Sequence, residues 1–73
     1  MPNQITLHAS AHADLEVVIR GATDVLHAQG IQIAGAGQVR LSSRDSVGRI
    51  ILRSATDKAR AVEILLANDI DAN

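Results

Sequence analysis

Apolar and polar residues alternate with period two in three stretches of the chain. The first stretch covers residues 4–10, and two others, residues 31–41 and 47–53, are separated by a segment of turn composition at residues 42–46. Such alternation is typical of strands that bury one face, and the short polar connection predicts that the last two strands form a β-hairpin. The residues predicted to face the core are Ile5, Leu7, Ala9, Ile31, Ile33, Gly35, Gly37, Val39, Leu41, Gly48, Ile50 and Leu52.

Two other stretches have apolar residues spaced three and four apart, which predicts amphipathic helices. We expect the first helix to begin at Asp14, as N-cap or first-turn acid, and to end at Gly30. The second is expected to begin with Thr56 as its N-cap and to end near Asn68, and residues 70–73 are expected to begin a last strand. The predicted inner stripes are Leu15, Val18, Ile19, Ala22, Val25, Leu26 and Gln29 in the first helix and Ala59, Val62, Leu65 and Leu66 in the second.

The order of these elements predicts the fold class. A single domain, residues 1–73, that reads β-α-β-β-α with a short or missing final strand is of the α+β class. Right-handed crossovers place both helices on one face of an antiparallel sheet, which gives a two-layer sandwich of the ferredoxin-like type. In that topology the first and third strands are central, the second lies at an edge and the fourth covers the first. If the fourth strand is too short to do so, the open edge of the first invites pairing with another chain, so we expect a homodimer.

The composition narrows the possible functions. The 73 residues include no cysteine and no aromatic residue, and seven basic against eight acidic residues give a net charge of −1. These counts exclude disulfides, thiolate metal ligands and a thiol nucleophile, and they leave no aromatic ring on which a nucleic-acid base could stack. We therefore expect no nucleic-acid partner. Because no apolar run approaches the length of a membrane helix, we also expect no membrane partner and a cytoplasmic location.

Residues that carry catalysis or hold metals elsewhere form no recognisable motif here. The sequence has no phosphate-binding glycine motif, and Ser42, Ser43 and Ser46 have no histidine–acid partner at an inferable distance. His8 and His12 are four residues apart, but they straddle a strand end and a loop, which favours surface histidines over metal ligands. The sequence therefore predicts a protein that is not an enzyme and that has neither a cofactor nor a metal site.

The segment Ala34–Gly37, with the sequence Ala-Gly-Ala-Gly, has two interpretations. Glycines inside a strand are typical of a bend, a bulge or the close approach of another backbone. The same small residues also allow a ligand or a partner subunit to reach the strand. The sequence leaves both interpretations open.

Four of the seven basic residues lie within a 14-residue span of the hairpin, in which Asp45 is the only acid. They are Arg40, Arg44, Arg49 and Arg53. Alternation predicts that Arg40, Arg49 and Arg53 project from the face of the sheet away from the helices. This face is either a solvated surface that discourages aggregation or a docking site for an acidic protein surface or an anionic ligand.

Several segments between residues 5 and 70 share a pattern with a known family. Residues 14–19 read Asp-Leu-Glu-Val-Val-Ile, and residues 25–33 read Val-Leu-His-Ala-Gln-Gly-Ile-Gln-Ile. They resemble the opening of ACT domains, which typically read Asp-Arg-Pro-Gly-hydrophobic-Leu and, after a helix, Leu-x-x-x-Gly-Ile-Asn-Ile. Residues 48–52 and 57–65 are similar to the third strand and second helix of that family. The resemblance implies a small regulatory module that dimerises side by side and binds an amino acid at the interface.

The resemblance also assigns a ligand site and shows where the chain departs from the family. The residues that it assigns to amino-acid binding are Asp14, Gly30, Ile31 and Gln32. At the departures, Glu16 replaces the motif proline and Val17 replaces the glycine, and an acid and a β-branched side chain both oppose a ligand carboxylate there. An ACT-like module without amino-acid binding, acting as a subunit of a partner enzyme, is therefore a second form of this hypothesis. The alternative is a protein-interaction module that docks an acidic partner through the arginine-bearing face.

Overall fold

A computed structural model describes residues 3–9, 14–43 and 45–73. Its elements are β1 (Gln4–His8), α1 (Leu15–Ala28), β2 (Ile33–Arg40), β3 (Ser46–Leu52), a 3₁₀ turn (Ala55–Asp57), α2 (Lys58–Ala67) and β4 (Asp71–Ala72). The strands form one sheet in the order β2-β3-β1-β4, and every neighbouring pair is antiparallel. The described part of the chain is thus an α+β fold with a four-stranded antiparallel sheet and two helices, which is compatible with a ferredoxin-like arrangement. Neither of these helices is both long enough and apolar enough to cross a membrane.

One face of the sheet, here called the core face, carries the buried aliphatic side chains. On β1 these are Ile5 and Leu7, and their partners on β3 are Ile50 and Gly48. They belong to a single cluster with buried residues from both helices, and its members are Ile5, Leu7, Ile19, Ala22, Leu26, Ile31, Ile50, Leu52, Ala61, Leu65 and Ala72. The opposite side of the sheet is called the outer face.

The predicted inner stripe is correct in α1 except at Gln29, which is exposed at the C-cap, and it is shifted in α2. In α1 the buried residues all belong to the predicted stripe, and they are Ile19, Ala22 and Leu26. In α2 the buried residues are Ala61 and Leu65, whereas Ala59 and Leu66 are exposed. The inner face of α2 is set by Ala61 and Leu65, one turn apart, with Val62 and Ile64 packed against the same cluster, so the stripe is rotated away from Ala59 and Leu66. A 3₁₀ turn, Ala55–Asp57, directly precedes α2.

The same turn accounts for a difference at the start of the second helix. Ser54 is the N-cap of the turn, and its Oγ accepts a hydrogen bond from the N–H of Thr56 at 3.3 Å. Asp57 is the N-cap of α2 and makes no capping bond with its side chain. The predicted role of Thr56 as N-cap is therefore wrong, because the chain starts to coil two residues earlier than the helical spacing indicates.

A β-bulge interrupts the alternation of β2. Ile33 pairs with Leu52 of β3, but the next pair along the ladder is Gly35 with Ile51, so Ala34 is an extra residue. This confirms the bulge interpretation of the Ala-Gly-Ala-Gly segment. Since side chains alternate between the two faces of a sheet, one extra residue moves every later side chain of the strand to the other face.

The bulge reverses the predicted faces in the second half of β2. Gly37 pairs with Arg49 and Val39 pairs with Val47, and these four residues lie on the outer face. Arg40 pairs with Ser46, which shares the core side of β3 with Gly48 and Ile50. The predicted inward positions of Gly35, Gly37 and Val39 are therefore wrong, and so is the predicted outward position of Arg40.

The final strand pairs with most of the edge of β1 that does not pair with β3. Thr6 and Asn73 exchange two backbone hydrogen bonds, of 2.9 and 3.0 Å, and His8 pairs with Asp71. A short final strand is thus present, and it closes the β1 edge over residues 6–8. Within the described residues β2 pairs on one side only, so it forms the longer free edge of the sheet.

The two helices end in the same type of turn with different residues at the critical position. After α1, Gly30 has a φ of 78°, and the N–H of Ile31 donates to the carbonyl oxygen of Leu26 at 3.0 Å. After α2, Asp69 has a φ of 61°, and the N–H of Ile70 donates back to the last turn of the helix in the same way, at 2.9 Å. Both are Schellman motifs, whose left-handed residue is usually glycine. Gly30 ends the first helix as predicted, while Asp69 adopts a conformation that a side chain disfavours.

We expect Asp69→Gly to stabilise the protein. Glycine adopts a positive φ without steric cost, so the free energy of unfolding should rise by about 0.5–1 kcal/mol and the midpoint of thermal unfolding by roughly 4 °C. Thermal unfolding followed by circular dichroism measures the change. The matched variant Gly30→Ala, at the equivalent position after α1, should shift the midpoint downwards. A lower midpoint for Asp69→Gly would show that its carboxylate contributes more than its backbone costs.

Candidate functional site

Asp14, the first residue of the implied amino-acid site, is the N-cap of α1. Its Oδ1 accepts a hydrogen bond from the N–H of Glu16 at 3.0 Å, and its carbonyl oxygen accepts one from the N–H of Val18 at 3.1 Å. A capping carboxylate satisfies amides that the start of a helix leaves unpaired. The predicted N-cap role is confirmed, and it engages this carboxylate with its own helix.

The two residues that depart from the ACT pattern lie in the first turn of α1. Glu16 and Val17 are both exposed, and Val17 is exposed to 63%. An acid near a helix N-terminus interacts favourably with the helix dipole, so Glu16 already places a negative charge at this end of α1. This turn is therefore poorly suited to hold an anion on its own.

The other residues of the implied site lie at the far end of the same helix. Gly30 and Gln32 are exposed beyond the last turn of α1, and Ile31 is 2% exposed within the core cluster. Since α1 has 14 residues, Asp14 lies about 21 Å away from them along the helix axis. A single chain therefore does not bring the four implied residues into one site.

The three arginines of the predicted interaction face are divided between the two faces of the sheet. Arg49 lies at the centre of β3 on the outer face and is partly buried, and Arg53 is exposed just after that strand. Arg40 lies on the core side at the end of the edge strand. Arg44, the fourth arginine of the hairpin, lies outside the described residues. The pairing of the strands thus leaves Arg49 as the central charge of the outer face.

The outer face has an apolar half and a polar half. The apolar half, on β2 and β3, consists of Gly35, Gly37, Val39, Val47 and Ile51 around Arg49, and the polar half, on β1 and β4, consists of Gln4, Thr6, His8, Asp71 and Asn73. Val47 is only 7% exposed although it is not part of the core cluster. A second, smaller apolar surface therefore lies on the face that the alternation assigns to solvent.

Arg49 carries a donor that the described protein does not use. Its Nε is buried and has no hydrogen-bond partner among the described residues. Its neighbours across the sheet are Gly37 and Thr6, so no carboxylate lies beside it in register. A buried donor without a partner costs about 1–3 kcal/mol, and the planar guanidinium is well suited to bind a carboxylate through two parallel hydrogen bonds. The described residues thus leave the Nε donor of Arg49 without an acceptor.

A groove of about 450 Å³ runs between α1 and the free edge of β2. Its lining residues are Glu16, Ile19, Arg20, Thr23, Ala36, Gly37 and Gln38. The small residues of β2 leave the groove open, and Glu16 and Arg20 place opposite charges one turn apart on its helical wall. Sequence reasoning missed this groove, because only the bulge turns Ala36 and Gln38 towards α1.

The described residues contain no metal centre built from histidines and acids. No group of three or more His, Asp or Glu side chains in residues 3–9, 14–43 and 45–73 is arranged to hold a metal. Nε2 of His8 lies 3.3 Å from Oδ1 of Asn73, and His12 lies outside the described residues. Of the serines considered for catalysis, Ser42 accepts a hydrogen bond from the N–H of Asp45 at 3.2 Å within the hairpin turn.

Two of the surfaces described above are candidate binding sites. One is the free edge of β2 with the groove beside it, and the other is the outer face around Arg49. No protein-family model, curated protein or solved structure matches the chain.

Proposed function

We propose that the chain is a non-enzymatic, ACT-like regulatory module that acts as a homodimer, with both helices on one face of a two-layer ferredoxin-like sandwich. The observation that carries the proposal is the free edge of β2, which is eight residues long and borders a groove with charges of both signs. The strand order β2-β3-β1-β4 supports the fold assignment. In a dimer of this kind, a ligand or a partner enzyme acts by binding one subunit arrangement more tightly than another.

The backbone of β2 offers hydrogen-bonding groups along its outer edge. Successive residues of a strand direct their N–H and C=O groups alternately to the two sides. The N–H of Leu41 donates to the carbonyl oxygen of Asp45 at 2.8 Å, so the odd-numbered positions face β3. The groups of Ala36, Gln38 and Arg40 therefore point away from the sheet. Since β2 has neither proline nor lysine, which often protect an edge, a second β2 running antiparallel could pair with these groups.

The charges beside this edge suit a second copy of the same chain. In a two-fold interface the two subunits are in contact through the same surface. A charged residue of one subunit therefore lies opposite residues of the other subunit that are its own neighbours on that surface. Glu16 and Arg20 lie one turn apart on the wall of the groove. An antiparallel arrangement of two α1 helices allows Glu16 of each subunit to approach Arg20 of the other, which makes the surface complementary to itself.

The dimer also offers a way to assemble the implied amino-acid site. Antiparallel α1 helices bring the first turn of one helix towards the last turn of its neighbour. Asp14 of one chain would face Gly30 and Gln32 of the other, which a single chain keeps about 21 Å apart, in a register shifted by about 12 Å from the one that pairs Glu16 with Arg20. The composite site would therefore belong to a second subunit arrangement, which a bound ligand favours. We propose this composite site for a small amino acid, with Glu16 and Val17 weakening its affinity.

We expect Gln38→Pro to raise the dimer dissociation constant at least tenfold. Proline lacks the outward N–H and cannot pair with a second edge strand, but at this position it removes no hydrogen bond to β3. Sedimentation velocity over a range of concentrations measures the association. The matched control Gln38→Ala retains the N–H and should dimerise like the unchanged protein.

A charge exchange tests the helical part of the same interface. Glu16→Arg should weaken the dimer because it places like charges opposite each other, and the double variant Glu16→Arg/Arg20→Glu should restore it. A monomeric unchanged protein at high concentration, or a Gln38→Pro variant that dimerises as tightly, would refute the dimer. Repeating the sedimentation runs with a panel of amino acids tests the composite site, since a ligand bound between subunits must tighten the dimer.

A further inference from the structure

We propose that the outer face of the sheet, centred on Arg49, binds an amphipathic helix of another polypeptide that carries an Asp or Glu in its apolar stripe. This surface is separate from the β2 edge, and the proposal does not depend on the dimer. It narrows the general expectation of an acidic partner to one face, one central residue and one kind of segment.

The charge of the partner follows from the surroundings of Arg49. Its Nε has no acceptor among the described residues, and its neighbours in register are Gly37 and Thr6. Asp71, the acid on this face, lies two strands away from it. The long side chain of Arg49 allows its guanidinium to turn outwards. A carboxylate that approaches from outside the sheet would then accept hydrogen bonds from both Nε–H and Nη–H, in the bidentate geometry that arginine favours.

The apolar character of the partner follows from the residues around that charge. Val47 and Ile51 lie two residues on either side of Arg49 along β3, and Val39 lies opposite Val47. Gly35 and Gly37 border them, and a Cβ added at either glycine would meet nothing within 4 Å, so the floor beside Arg49 is open. The hollow here, of about 260 Å³, is lined by Val39, Ile51 and the two glycines beside Arg49, while Val47 is buried beneath the surface and does not line it. This lining is suited to aliphatic side chains beside the carboxylate.

The size of the surface favours a single helix over a folded domain. The apolar half of the face is two strands wide, at about 4.8 Å per strand, and five residues long, at about 3.4 Å per residue, which gives roughly 10 by 17 Å, or about 160 Å². A standard protein–protein interface buries about 800 Å² on each partner, so a globular partner would extend well beyond this face. Three turns of helix are about 16 Å long and 10 Å wide, which matches it.

Nucleic acid does not fit the same surface. The chain has no aromatic residue on which bases could stack, and the polar half of the face includes Asp71, which repels phosphates. The hollow is also too shallow to enclose a small anion, so a carboxylate held by a larger apolar segment is the favoured ligand.

The test is a selection of displayed helical peptides on the full 73-residue chain. The probe is a phage library of 16-residue peptides with helix-forming surface positions and randomised residues at i, i+3, i+4, i+7 and i+8. The expected result is enrichment of sequences with aliphatic residues around one Asp or Glu. A selected peptide, made with a fluorescent label, should then bind Arg49→Met at least tenfold more weakly than the unchanged protein in anisotropy titrations, with the loss shrinking at high salt.

Matched variants separate a specific contact from loss of structure. Arg40→Met makes the same chemical change on the core side of the sheet and should alter binding less than twofold. Replacing the peptide's acid by its amide should weaken binding to the unchanged protein but not further weaken binding to Arg49→Met. If thermal unfolding shows that Arg49→Met is not folded, Arg49→Lys replaces it in the titrations. This variant keeps the positive charge but loses the planar guanidinium, so it should also bind the peptide more weakly. No enrichment, enrichment without an acid, or equal binding by the Arg49 variant and the unchanged protein would overturn the proposal.

Discussion

Leu65→Ala is expected to remove much of the stability of the domain. Leu65 is fully buried in the core cluster, and truncating such a leucine costs about 2–5 kcal/mol because apolar contacts are lost and a cavity remains. A 73-residue domain has a free energy of unfolding of roughly 4–11 kcal/mol, so the loss is a large fraction of the total. Urea unfolding followed by far-ultraviolet circular dichroism measures it, and no aromatic fluorescence is available in this chain.

Leu66→Ala is the matched control, since it makes the same change at the next residue of α2. Leu66 is 52% exposed, and the two variants alter helix propensity equally. We expect the Leu66 variant to change the free energy of unfolding by about 0.5 kcal/mol or less. Equal losses at the two positions would contradict the orientation of α2 that the structure shows.

Gly48→Ala is expected to destabilise the protein by overpacking. A Cβ at this position would lie 2.7 Å from Cγ1 of Ile19 and 3.1 Å from Cβ of Leu7, distances at which something must move. Both neighbours belong to the core cluster, so relief requires a shift of α1 or β1. Inserting atoms into a well-packed core costs about 1–3 kcal/mol, and the same urea titration measures the loss.

Two variants show whether steric overlap is the cause. Gly37→Ala adds the same methyl group in the neighbouring strand, where nothing lies within 4 Å, and should be close to neutral. In the background of Ile19→Ala, which removes the nearest atoms, Gly48→Ala should cost clearly less than it does alone. Additive losses for these two changes would mean that the backbone of Gly48, and not the space beside it, is what the fold requires.

The regular elements could be predicted because each depends on a local pattern. Alternation at Ile5 and Leu7 marks β1, and the spacing of Ile19, Ala22 and Leu26 marks α1. The structure confirms these buried positions, together with the end of α1 at Gly30. Each of these patterns involves residues that are close together in the sequence. It can therefore be recognised without knowledge of which distant segments pack against it.

The faces of β2 could not be predicted, because the segment that follows Ile33 lacks strong hydrophobic contrast. In Ala34–Gly37 no side chain is large enough to require one face, so an extra residue there costs little. Strict alternation through this segment predicts Arg40 on the outer face, and it gives no indication of the groove beside α1. The apolar half of the outer face was missed for the same reason, because Val39 was assigned to the core.

The implied ligand site shows a different limit. The resemblance to ACT domains assigns Asp14 and Gln32 to one site, but their distance in space depends on the length of α1 and on how subunits assemble. A pattern along one chain contains no information about a second chain. The capping role of Asp14 is local and was predictable, whereas its proximity to Gly30 requires an oligomer.

The extra residue in β2 separates the shape of the free edge from the chemistry of the outer face. Deleting the codon for Ala34 would remove the bulge and leave every pair from Gly35 with Ile51 to Arg40 with Ser46 in its present register. Val39 would stay on the outer face and Arg40 on the core side, while the strand would lose the bend and added twist that a bulge introduces. Such a deletion would therefore reshape the edge offered to a second strand without changing which side chains the outer face presents.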